Sequence, residues 1–101
     1  MTNYSTAEEM AEQLAAAVWD LRCGNITDEN ITDDQKSAIR EQAFSFSREV
    51  SSRGANDVSK IRLGRRLAVA ILVWCDEGTP EAWTRLVRAS LKFEGMRLQR
   101  D

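Results

Sequence analysis

The chain has 101 residues, of which 43% are hydrophobic and 30% charged, and carries a net charge of −2. That length supports one hydrophobic core and not two, so a single domain over residues 1–101 is expected. Histidine is absent, which removes the commonest general base and the commonest metal ligand together, and with them Ser-His-Asp triads and Cys-His pairs.

The longest strongly apolar run, Leu67–Cys75, covers nine residues, about half of what a bilayer span needs. Met1–Ser5 contains neither a basic stretch nor an apolar one, so neither a signal peptide nor a transmembrane segment is expected and the location implied is cytoplasmic. Cys23 and Cys75 lie 52 positions apart, far from the spacing of a zinc knuckle or redox pair, and read as two free thiols. Asn25-Ile26-Thr27 and Asn30-Ile31-Thr32 match the glycosylation sequon; without a secretory route they read as helix-capping segments.

Apolar residues recur at spacings of three and four, only one proline occurs, and the glycines fall mostly between periodic segments. The fold class expected is all-α, a compact bundle of four to five helices. The first helix is expected over about residues 6–23, opened by a capping box of Ser5 with Glu8 or Thr6 with Glu9 and stopped by Gly24. Met10, Leu14, Ala17, Val18 and Leu21 form its inner face, with Glu9, Glu12, Gln13 and Asp20 outside and Trp19 off the stripe. The tandem Asn25–Asp28 and Asn30–Asp33 offers two cap sites with a tight loop or one-turn helix between them.

A second helix, about residues 33–53, is capped by Thr32 with Gln35 in the reciprocal position and ends at Gly54; Ile39, Ala43, Phe46 and Val50 are its core seam, and Phe44 lies off it. The third, about residues 57–77, starts at Asn56 or Asp57 and is apolar all round in its second half, which predicts the buried centre of the bundle. Gly78-Thr79-Pro80-Glu81 then stops one helix and starts the next, with Thr79 as cap and Pro80 at the first helical position. The fourth is expected over about residues 80–94, with Trp83, Leu86, Val87, Ser90 and Leu91 inward, Gly95 as its stop and residues 96–101 as a short basic tail. Trp74, Ile71, Leu72, Ala68, Leu86 and Leu91 are expected among the most buried residues.

Charge is partitioned along the chain. Residues 1–34 hold eight acidic side chains against Arg22 alone, a balance of −7, while residues 35–101 carry +5. Eleven of the fourteen basic residues are arginine, whose planar fork suits carboxylates, phosphates and aromatic faces. Two candidate partner surfaces follow: an acidic one of Glu8, Glu9, Glu12 and Asp20 with the off-stripe Trp19, and a basic one of Arg62, Arg66, Arg85, Arg88 and Lys92.

No Gly-rich phosphate loop is present, because Gly54, Gly64, Gly78 and Gly95 stand singly. Asp33-Asp34 and Asp76-Glu77 sit at helix ends, where capping and solvation account for them. No catalytic residue, cofactor, metal or small-molecule substrate is expected. A helix-turn-helix has the right order of parts in the third helix, the Gly78-Thr79-Pro80 turn and the arginine-bearing fourth helix, but the helix before the turn is about twenty residues long and the pI is near 5.2.

What remains is recognition by surface. Capped helices placed end to end, clean starts such as Thr79-Pro80-Glu81, polarised charge and absent histidine chemistry resemble, in overall design, the small helical inhibitors encoded by phages and plasmids, anti-CRISPR proteins in particular. The resemblance implies a non-enzymatic inhibitor that binds a host protein or nucleoprotein complex and blocks its nucleic-acid path. A toxin-neutralising immunity protein or assembly chaperone would share the design, and a small helical DNA-binding transcriptional regulator is the alternative.

Overall fold

Each periodic segment places its apolar residues along one side of a helix, and the computed structural model, which describes residues 4–23, 30–53 and 59–99, folds accordingly. Four helices are present: α1 (Tyr4–Arg22), α2 (Asp33–Arg53), α3 (Ser59–Glu77) and α4 (Pro80–Gln99). No strand occurs among the described residues, so the class is all-α. No helix among them is long and apolar enough to cross a membrane.

The two sharpest capping signals form as the sequence predicts. Thr32 Oγ1 accepts from the Gln35 amide at 3.1 Å while Gln35 Oε1 accepts from the Thr32 amide at 2.9 Å, a reciprocal box at the start of α2. Asp33 and Asp34 add negative charge at the positive end of that helix. At α4, Thr79 Oγ1 accepts from the Ala82 amide at 3.1 Å, with Pro80 in the first helical position. Gly78 closes α3 in the left-handed region (φ 65°), its amide donating to the Trp74 carbonyl at 2.8 Å.

Two boundaries differ from the sequence expectation. α1 begins at Tyr4, so Ser5 and Thr6 occupy its first turn rather than its cap. α4 runs through Gly95 to Gln99, so residues 96–99 are helical and not a tail. Glycine in a helix costs about 1 kcal/mol relative to alanine and stops it only where the chain turns left-handed; Gly95 does not adopt a positive φ. The expected stop at Gly24, the Asn25–Asp28 half of the tandem, the Gly54 stop and the start at Asn56 or Asp57 lie outside the described residues.

The core unites Leu14, Val18 and Leu21 of α1, Ile39, Ala43, Phe46 and Val50 of α2, Ile61, Leu67, Ala68, Ile71 and Trp74 of α3, and Trp83, Leu86 and Phe93 of α4. Ile31, just ahead of the Thr32 cap, is buried with them. Trp74 and Trp83 pack with ring centroids 5.1 Å apart at 50°, joining α3 to α4. α1 and α3 each pack on all three other helices, whereas α2 and α4 do not touch one another. The cross-section is therefore a rhombus whose short diagonal is the α1–α3 contact. At its centre α3 approaches so closely that a Cβ on Gly64 would lie 2.9 Å from both Ala11 Cβ of α1 and Phe46 Cζ of α2.

That arrangement corrects the reading of α3 as a fully buried centre. Three neighbours cover three sides and leave a fourth open: Val69 is 58% exposed, and Leu72 and Val73 are only partly buried. Leu91, expected inside, is 50% exposed. The buried stripe of α4 is Trp83, Leu86, Ser90 and Phe93, spaced three, four and three, and Leu91 falls about 100° away from Ser90 on the helical wheel.

Candidate functional site

The open side of α3 forms a groove with α4. Its floor is small and aliphatic, made by Val69, Ala70 and Val73 from α3 with Ala82 and Ala89 from α4, and it encloses about 460 Å³. Arg65, Arg66 and Arg85 border that floor. A smaller depression of about 240 Å³ continues from it, sharing Arg66, Arg85 and Ala89 and adding Leu63, Arg88 and Lys92. The sequence places these residues by a simple rule: Arg62, Arg65 and Arg66 precede Val69 and Val73 on the outward side of α3, while Arg85, Arg88 and Lys92 recur at three and four along α4. Among the described residues Arg66, Arg85, Arg88 and Lys92 form no ion pair with an acidic side chain. The result is a basic rim around an apolar floor.

Of the basic candidates from sequence, Arg66, Arg85, Arg88 and Lys92 are brought together here, while Arg62 is exposed on α3 and does not line the groove. Arg65 and the aliphatic floor are not in the sequence-derived set. Their signal is the all-round apolar half of α3 one turn after the Arg65-Arg66 pair, which must leave apolar surface outside any bundle of four.

Of the acidic candidates, two lie on the opposite side. Glu9 and Asp20 are exposed on the outer face of α1, Glu8 is half-buried, and Glu12 pairs with Lys60 of α3 at 2.9 Å. Trp19, on the flank of α1 about 80–100° round from Glu9 and Asp20, is 49% exposed. The Arg22 guanidinium lies 5.3 Å from the Trp19 ring centroid and also donates to the buried Ser90 hydroxyl at 3.2 Å, so one arginine holds the exposed indole and ties α1 to α4.

A third depression, about 390 Å³, lies between α2 and α3 and shares Val73 with the groove; Arg40, Phe44, Leu72, Cys75 and Asp76 complete it. Phe44 is 40% exposed, with the Arg40 guanidinium 5.4 Å from its ring centroid. Burial pushes the Cys75 thiol above its ordinary pKa, opposed by the positive charges of Lys36 and Arg40, and its Sγ donates weakly to the Lys36 carbonyl at 3.8 Å. Cys75 is thus a poor nucleophile at neutral pH. Cys23 and Cys75 are both free, and no cluster among the described residues has the composition to hold a metal ion. Every buried side-chain nitrogen and oxygen among the described residues has a hydrogen-bond partner, so the polar atoms of the interior are spent on the fold. What the surface offers is an apolar groove with a basic rim on one side and, on the other, the outer face of α1 with Glu9 and Asp20. No protein-family model, no curated protein and no solved structure matches this chain.

Proposed function

We propose that this chain is a protein-interaction module that works by stoichiometric occupancy, and that the groove between α3 and α4 is its contact surface for an acidic, amphipathic protein element. The observation that carries this reading is the pairing of a basic rim with an aliphatic floor. Burial of apolar surface supplies affinity, and the arginine forks supply orientation and long-range attraction to carboxylates. A phosphate backbone would satisfy the rim but gain nothing from Val69, Ala70 and Val73, which favours a protein partner over duplex nucleic acid. In its more specific form the module is an inhibitor, of the kind carried by mobile elements, that covers the nucleic-acid path of a host protein or nucleoprotein complex. A cytoplasmic site of action belongs to the same proposal.

A fluorescein-labelled synthetic helix with leucine at i, i+4 and i+7 and glutamate on its flanks provides the test, read by fluorescence anisotropy. Binding should weaken as salt rises. It should be lost both in the Arg85→Glu/Arg88→Glu variant and in Val69→Asp, each checked for an unchanged melting temperature. Duplex DNA is run alongside at low salt. If DNA is shifted steeply with salt, if that shift survives Val69→Asp, and if the peptide does not bind, the small DNA-binding regulator is the correct reading instead.

A further inference from the structure

We infer that the α3/α4 groove of one copy receives the outer face of α1 from a second copy, giving a head-to-tail association that weakens with salt. The inference rests on the reading of the groove as a docking surface and names its occupant. α1 and α3 form the short diagonal of the rhombus, because each touches every other helix while α2 and α4 do not meet. The side of α3 that carries Gly64 faces Ala11 of α1, and Val69 lies 140° round the α3 helix from Gly64. On α1, Glu9 and Asp20 lie about 160–180° from Ala11. The acidic face and the basic groove therefore point in opposite directions. They cannot meet within one molecule, and they are free to meet between two.

Charge complementarity supports this occupant. Glu9 and Asp20 are exposed and match a rim of Arg66, Arg85, Arg88 and Lys92. Trp19, half exposed on the flank of α1 about 80–100° round from Glu9 and Asp20, can meet the border of a groove that receives that face. Its ring is already held by Arg22, which is anchored on Ser90, so less side-chain freedom is lost on docking. The two patches differ, which makes the contact heterologous; it closes into a ring or continues as a chain according to the rotation between copies.

Analytical ultracentrifugation of the full chain tests the inference. At an ionic strength of about 0.01 M, where the Debye length is about 30 Å, sedimentation should show concentration-dependent association, and at about 0.15 M the apparent affinity should fall at least about tenfold. Glu9→Lys/Asp20→Lys keeps the groove and loses the α1 face; Arg85→Glu/Arg88→Glu keeps the α1 face and loses the groove. Each should sediment as a monomer with its helical circular dichroism unchanged. An equimolar mixture should associate, the intact groove of the first variant taking the intact α1 face of the second. Trp19→Ala should weaken wild-type association at least about tenfold. A wild-type chain that stays monomeric at low salt overturns the inference, as does association that persists in both double variants or a mixture that fails to pair. If wild type is monomeric and still binds the acidic helix, the groove remains a docking surface and only the second copy is excluded.

Discussion

At Gly64 a methyl group has no room: its carbon would lie 2.9 Å from Ala11 Cβ, which cannot rotate away, and 2.9 Å from Cζ of the fully buried Phe46. Overpacking of this kind costs about 1–3 kcal/mol, more than the roughly 1 kcal/mol that alanine gains over glycine in an exposed helix. Gly64→Ala should therefore lower the melting temperature, by about 4–8 °C for each kcal/mol of net loss in a domain of this size. The penalty should shrink in a Phe46→Leu background, and a double-mutant cycle by thermal denaturation measures that coupling. A Gly64→Ala chain that melts higher than wild type would show that the α1–α3 approach is slack. Gly78 is required for another reason, since nothing lies within 4 Å of its Cβ position and only its φ of 65° excludes other residues. Sequence alone marks Gly78 through its neighbours Thr79 and Pro80, whereas Gly64 between Leu63 and Arg65 carries no mark of the two helices that press on it.

For helices, the seam of α2 was legible because Ile39, Ala43, Phe46 and Val50 form its one continuous apolar stripe, with polar residues on the other sides apart from Ala38 and Phe44. Both caps were legible because each is made by hydrogen bonds within three residues, a reciprocal pair between Thr32 and Gln35 and a single one from the Ala82 amide to Thr79 Oγ1. α4 allowed two alignments, through Leu91 or through Phe93, and the choice is made by α3: Trp83 must meet Trp74, and from there the stripe continues to Leu86, Ser90 and Phe93. No periodicity within α4 contains that information. Truncation separates the alignments: Leu86→Ala should cost about 2–5 kcal/mol and Leu91→Ala no more than about 0.5 kcal/mol. Chemical denaturation reads both, and comparable losses at the two sites would mean that α4 is rotated. The basic half of the candidate site was legible as charge in the sequence, but its apolar floor was not, because α3 reads as wholly buried until the number of helices around it is known.

On the scale of the whole molecule, part of the charge division along the chain falls on opposite sides, because Glu9 and Asp20 lie on the back of α1 while Arg65, Arg66 and Arg85 border the front of α3. Such a field orients an approaching partner before contact. The rhombus has a further consequence for how the structure opens. Since α2 and α4 share no contact, either can detach while the α1–α3 pair and the remaining helix still form a three-helix unit. Backbone amide exchange with deuterium should then divide into tiers, with α2 and α4 exchanging through separate partial openings of lower free energy and the middle of α1 and α3 exchanging only when the whole chain unfolds. Leu86→Ala should hasten exchange in α4 and leave α2 unchanged. If the two helices accelerate together, they open as one unit, and the molecule has no such independent halves.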